Sequence, residues 1–330
     1  MTAAEPAPTG PAGAGVGHRL LLPLLVLTWA ASWPVIKVGV ATTPPIWFGA
    51  ARFSVAALIL FGVLALRRQV VLPPRSDWPL VAVSGMLQMA AYSALTGFAL
   101  TILPPGRASV LAYSTPIWVV PLAAWRLGER MSRLAILGVG VGLAGVLAIV
   151  APSLRPGGHE QIFAYAMLMA AAAAWAVSIV FVRGHRFTAS PLVLAPWQML
   201  AAAAILVPLA GLVEGPPPAL APSAMAALAY VGPVGTAFAY WAVVEAGRRH
   251  RASAISMGLL ATPVLGILIS AVTLHEAIDP PLMAGAALVG VGIRLATATP
   301  TGRPRDAASE APGDPGLPSR LCGAADTGEG

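Results

Sequence analysis

Charge is what this chain has least of: 10% of its 330 residues are Asp, Glu, Lys or Arg, against 57% hydrophobic ones. A soluble domain carries about 25% charged residues, so a folded surface here could not be covered with water-compatible groups. The same shortage excludes disorder over most of the length, because so much apolar side chain must be buried. Cysteine is nearly absent as well. The single residue, Cys322, lies in a polar tail, which excludes a disulfide framework within the chain. His18, His159, His185, His250 and His275 fall in tails or connections, with neither H-x-x-x-H nor H-E-x-x-H spacing. No metal site is expected from that scatter. No G-x-x-x-x-G-K-[ST] sequence occurs, and no connection could house a nucleotide domain, so ATP and other cofactors stay out of the reading.

What the chain has instead is apolar runs. Helical crossing of about 30 Å of hydrocarbon takes roughly 20 apolar residues at 1.5 Å each. Breaks at Pro, Gly and Arg divide the interior into ten runs of about that size: 20–40, 46–66, 78–101, 108–125, 134–150, 162–182, 192–213, 225–246, 252–274 and 282–296. The expected fold is therefore an all-α integral membrane protein with ten transmembrane helices. The first run is longer than a signal-peptide core, and Thr42-Thr43-Pro44-Pro45 is a poor cleavage site, so it reads as a retained span. Residues 1–18 and 298–330, built of Ala, Pro, Gly, Ser and scattered charge, read as disordered tails.

The formal charge of +7 would suggest nucleic acid in a soluble protein, but here the cations sit between apolar runs. With both termini in the cytoplasm, sixteen cations fall inside and only Arg107 and Arg155 outside. That asymmetry follows the positive-inside rule. The richness in Ala, Gly, Pro and Arg fits a GC-rich bacterial genome, which places the expected location in a bacterial cytoplasmic membrane.

A shift of 147 residues brings the second half onto the first. Ser109 meets Ser256, Thr115-Pro116 meets Thr262-Pro263, Glu129 meets Glu276, Ser132 meets Asp279, Gly138 meets Gly285 and Gly145 meets Gly292. A shift of 146 pairs Trp29 with Trp175 and Arg52 with Gln198. Each half holds five runs, an odd number, so the second copy must enter the membrane upside down. Two inverted five-helix repeats follow, at 19–151 and 161–297, joined by a linker at 152–160. Inverted repeats are a recurrent plan of secondary transporters, with the solute held near the midplane.

Within 98–150 the run ALTILPPGRASVLAYSTPIWVVPLAAWRLGERMSRLAILGVGVGLAGVLAIV resembles the EamA repeat of the drug/metabolite transporter superfamily. The second half repeats the pattern from Gly235 onward, and Trp29–Lys37 (WAASWPVIK) and Ala51-Arg52-Phe53 are similar to the first two helices of that repeat. Two departures stand out: His275-Glu276 replaces the usual Gly-Glu, and Pro104-Pro105 stiffens a link. The resemblance implies a ten-helix carrier of small organic metabolites or toxic compounds, working by alternating access, with export the commoner direction.

Candidate solute contacts come from polar and aromatic residues inside the runs. Lys37 and Arg52 are ionisable within spans, which by default suggests function, although Lys37 and Arg52 could also snorkel to the interface. Gln88 and Tyr92, four apart, share a helix face, and Tyr240 lies at comparable depth in the second half. Tyr113, Ser114 and Thr115 supply three oxygens beside Pro116, which frees a backbone carbonyl that lipid would not tolerate. Trp175 is a stacking candidate, and Gln198 enters as the counterpart of Arg52. Glu129 and Glu276, with Lys37, Pro116 and Pro263, are assigned to gating or structure. The Gly138-x-x-x-Gly142 face, with Gly145 a turn later, suits close packing of the two halves or of two protomers in a homodimer. The alternatives are a membrane channel, a non-transporting interaction protein and a membrane-embedded enzyme. An enzyme would need a nucleophile–base set or metal cluster, and none is visible.

Overall fold

The computed structural model describes residues 16–249 and 252–297. The two expected tails lie outside them apart from residues 16–18, as do Cys322, His250 and Arg251. Among the described residues there is no strand. Ten helical segments follow in order: Val16–Val40, Pro45–Leu66, Arg75–Ile102, Pro105–Leu127, Arg133–Leu154, His159–Gly184, Pro191–Val213, Pro222–Ala246, Ala252–Leu274 and Pro280–Thr297. Nine are long and apolar enough to cross a membrane; the ninth in sequence, Ala252–Leu274, is apolar over Gly258–Leu274.

Proline decides where many segments begin. Pro45, Pro105, Pro191, Pro222 and Pro280 each occupy a first helical position, where the missing N–H would be unpaired anyway and φ is preset. Side chains close two starts: Ser132 Oγ accepts from Ala135 N, and Asp279 Oδ1, just ahead of Pro280, accepts from Leu282 N, each at 3.0 Å. These are the two cap positions matched by the 147-residue shift. The helices just before them also stop alike. Gly128 and His275 both take left-handed backbone, at φ of 69° and 55°, so His275 holds a conformation that its counterpart reaches without a Cβ.

The third and eighth segments widen part-way into π-helical turns, at Ser84–Ala91 and Pro233–Phe238. In the latter, Ala237 N and Thr236 Oγ1 both reach back five residues, to the carbonyls of Gly232 and Val231. Such turns rotate side chains off the regular helical face and recur at functional sites.

Contact between segments pairs the halves. The fifth packs on the tenth more extensively than any other pair, and the second packs on the seventh. The first lies against the eighth and ninth, and the third and fourth lie against the sixth. Glycine makes the first of these contacts possible. A Cβ on Gly138 would meet Ala296 N at 2.4 Å, one on Gly145 would meet Gly285 O at 2.7 Å, and one on Gly292 would meet Gly142 N at 2.4 Å. Partner numbers fall as these rise, so the two helices run antiparallel with their backbones in contact. This glycine face is used within the chain and is not free to receive a second protomer.

Carboxylates staple the segments at both ends of the bundle. Glu214, after the seventh segment, accepts from Ile46 N and Trp47 N at 2.9 Å each, at the start of the second. Asp77, in the first turn of the third, accepts from Thr188 N and Ala189 N just ahead of the seventh. A carboxylate at a helix N-terminus satisfies unpaired N–H groups and the positive end of the helix dipole. Lys37 does the opposite job: its Nζ donates to the carbonyls of Leu100 and Thr101, at 2.5 and 3.2 Å, in the last turn of the third segment. These contacts make the first, third and seventh segments run one way and the second run the other.

Candidate functional site

A cavity of about 500 Å³ lies at the Glu276 end beside Lys37 and Arg107. Two neighbouring cavities that share part of their walls lie in the middle of the bundle between the halves. The smaller, about 110 Å³, is lined by Arg52 and by residues of both π-helical turns, Gln88 and Met89 from one, Gly235 and Thr236 from the other. The larger, about 410 Å³, is walled chiefly by apolar side chains of the fourth, ninth and tenth segments and reaches Thr297, in the last turn of the tenth. Trp29, Gln88, Tyr113, Trp175 and Tyr240 border both. Side by side, the two cavities extend from the middle of the bundle toward the end that carries Glu129.

Polar groups in this space are few and oriented. Arg52 Nε donates to Thr236 Oγ1 at 2.7 Å, and the guanidinium carbon lies 5.2 Å from the Phe53 ring centre. Tyr240 donates its phenol hydrogen to Gln198 Oε1 at 2.7 Å, and Gln88 Oε1 accepts from Ser178 Oγ at 3.3 Å. Tyr92 and Trp175 meet edge to face with ring centres 4.8 Å apart, and Trp33 tilts against Tyr113 at 6.3 Å. Such ring contacts are favourable, and all four rings line the same cavity as Arg52. Among the described residues no group of His, Cys, Asp and Glu could hold a metal.

The two ends differ. At one, Glu276 Oε2 accepts from Gly106 N at 2.7 Å and Oε1 from Arg107 N at 3.3 Å, while the Arg107 side chain pairs with Asp279. The start of the fourth segment is thus clasped by the link between the ninth and tenth. Burial pushes the Glu276 carboxyl above the usual carboxylate range, against the pull of the two N–H groups and of Arg107. At the other end Glu129 pairs with Arg183 of the sixth segment.

The family model described as "EamA-like transporter family" matches this chain twice, over residues 19–151 and 162–298. The chain belongs to the EamA-like transporter family. It is a transporter and not an enzyme. Relatives include the "Probable terminal-alkyne amino-acid exporter" of Streptantibioticus cattleyicolor, 32% identical over 87% of this chain and 96% of that protein. The "Aromatic amino acid exporter YddG" of Ancylobacter novellus is 30% identical, over 83% and 96% respectively. A solved crystal structure superposes with a TM-score of 0.61 at 23% identity, covering 86% of this chain and 97% of the other, a likeness of fold alone.

Of the residues that the sequence singled out in this EamA chain, Arg52, Gln88, Tyr92, Tyr113, Trp175 and Tyr240 come together around the cavities. Pro116 and Pro263 border the larger cavity. Ser114 and Gln198 do not line either one: Ser114 is fully buried with its hydroxyl on Leu111 O, and Gln198 stands behind Tyr240. Lys37 is spent on helix-end carbonyls. The carbonyl that Pro116 frees, that of Ala112, is taken by Thr115 Oγ1 at 2.8 Å rather than by the cavity. Thr236 went unnoticed, since the 147-residue shift sets it against Met89, an apolar residue. Asp77 and Glu214 were missed for a different reason: an acid in a connection gives no sign of which helix start it will meet.

Proposed function

We propose that the chain is a secondary carrier that exports a small organic metabolite across a bacterial cytoplasmic membrane by alternating access. In this reading it makes ten passes with both termini inside, as two inverted repeats at 19–151 and 161–297. The antiparallel contact of the fifth and tenth segments and the double family match support the repeat. The asymmetry of the cations supports the orientation, since Arg126, Arg130, Arg133, Arg183, Arg186 and others crowd the Glu129 end.

One observation carries the reading: the cavities beside Arg52 extend toward the Glu129 end, while at the Glu276 end the start of the fourth segment is clasped. A solute reaching Arg52 from the cytoplasm would find the outer side shut. In the opposite state Glu276 would release the fourth segment, and Glu129 would take the start of the ninth, its counterpart under the shift. Exporters of amino-acid compounds among the relatives point to metabolites of that size. A channel would need both ends open together, and the clasp disfavours it.

The test is counterflow in proteoliposomes holding the purified full chain, loaded with a mixture of unlabelled amino acids and their N-acyl derivatives. Accelerated uptake of labelled solute on the loaded side is the expected result. Flux without such acceleration would mean a channel, and no flux at all would remove transport.

A further inference from the structure

We infer that the central cavity selects solutes of net negative charge: a carboxylate on an apolar body whose amino group is blocked or missing, in preference to a free zwitterionic amino acid. This deepens the carrier reading and rests on it.

Arg52 is the only cation lining either cavity, and no Asp or Glu of the described residues lines them. Its guanidinium has five N–H donors, of which Nε is used on Thr236. The Phe53 ring offers its face and no charge. The two ion pairs given by the described residues lie at the bundle ends, on Arg107 and Arg183, and neither involves Arg52. A half-buried charge walled by apolar side chains is stabilised by a counter-charge, and guanidinium cannot readily deprotonate. A carboxylate matches its fork in two parallel hydrogen bonds.

The rest of the lining speaks to the remainder of the solute. Trp29, Trp33, Tyr92, Tyr113 and Trp175 present apolar surface with few acceptors. An ammonium group bound there would face Arg52 as a like charge, with no carboxylate to offset it. A blocked amide would instead need only a neutral donor and acceptor, such as the Gln88 side-chain NH2 for its carbonyl and the Tyr240 hydroxyl oxygen, whose hydrogen is held by Gln198, for its N–H.

Four probes sharing a phenyl body separate the charges: N-acetylphenylalanine (anion), phenylalanine (zwitterion), N-acetylphenylalaninamide (neutral) and phenethylamine (cation). Binding to the purified full chain in detergent is read by ligand-induced thermal shift. N-acetylphenylalanine is expected to half-saturate at a concentration about tenfold or more below the other three, the size of one charge-assisted hydrogen bond pair. Arg52→Gln should bring the acid and its amide to equal affinity, and Arg52→Lys should keep the acid ahead. Should Arg52→Gln fail to fold, the ranking on the unaltered chain decides alone. Tightest binding of phenylalanine or phenethylamine, equal binding of all four, or no binding by any would overturn the inference. Counterflow of phenylalanine in any of those cases would leave the carrier reading standing.

Discussion

Glu276 reaches across 170 residues of chain to hold the backbone N–H of Gly106 at 2.7 Å. The contact needs glycine, because a Cβ on residue 106 would sit 2.7 Å from one carboxylate oxygen and 2.9 Å from the other. Gly106→Ala should therefore push the carboxylate off the start of the fourth segment and loosen that end of the bundle. Thr96 lines the smaller cavity on the same side. A cysteine placed at Thr96 should react several-fold faster with a membrane-impermeant maleimide in the Gly106→Ala background. Unchanged labelling would mean that the carboxylate does not hold that end shut.

The same carboxylate sets an expected pH dependence. Burial raises its pKa in the folded chain above the ordinary carboxylate value of 4.5. A raised folded pKa means that its contribution to stability is complete below the unfolded value and is lost as pH rises through the folded one. Glu276→Gln cannot titrate. The melting temperature of the unaltered chain, relative to Glu276→Gln, should thus fall as pH is raised from about 4 toward neutrality. A difference that stays flat or grows with pH would contradict the burial of the charge.

His275 stands where Gly128 stands in the other half, and both are left-handed. A residue with a Cβ pays roughly 1–2 kcal/mol for that backbone, and glycine almost nothing. His275→Gly is expected to raise stability by about 1 kcal/mol, less the extra freedom glycine brings to the unfolded chain. Thermal unfolding in detergent measures it; a loss of stability would show that the imidazole makes contacts worth more than the strain.

Most of the frame was legible in the sequence because hydrophobic runs and prolines act locally. Pro45 and Pro280 mark helix starts by their own covalent geometry, and Ser132 and Asp279 cap by reaching three residues ahead; Pro105, read in the sequence as part of a link before a run at 108–125, is instead the first helical residue of the fourth segment. The central site was legible in part. Arg52, Gln88 and Tyr92 are polar residues in apolar runs, and lipid leaves such groups only an interior to face. Gln198 and Ser114 met the same criterion yet bind protein partners, since sequence does not tell a polar group aimed at a cavity from one aimed at a neighbour. The widened turns at Ser84–Ala91 and Pro233–Phe238, the second of which carries Thr236, had no periodic signature.

The glycine contact between the fifth and tenth segments can be separated from glycine content as such. Gly292→Ala would place a Cβ 2.4 Å from Gly142 N and 2.5 Å from its Cα, backbone atoms that cannot turn aside. Moving the helices apart should cost about 1–3 kcal/mol, the usual range for overpacking. Gly140 lies on the same helix as Gly142 with nothing within 4 Å of its would-be Cβ. Gly140→Ala should be neutral or gain a few tenths of a kcal/mol from helix propensity. Equal effects of the two changes on the melting temperature would mean that the close approach contributes little.

Thr115 and Pro116 form a self-compensating pair, and a double-mutant cycle can isolate it. Pro116 has no N–H for the Ala112 carbonyl, and the Thr115 hydroxyl donates to that carbonyl at 2.8 Å. Because Ala112 is fully buried, Thr115→Val should leave an acceptor unpaired and cost about 1–3 kcal/mol. Pro116→Ala restores an N–H four residues along, so the double variant should recover much of that loss even though Thr115→Val alone does not. The coupling is read from the four melting temperatures. Additive effects would mean that the carbonyl finds water from the larger cavity, which Thr115 and Pro116 both border, and that the hydroxyl is free to meet the solute.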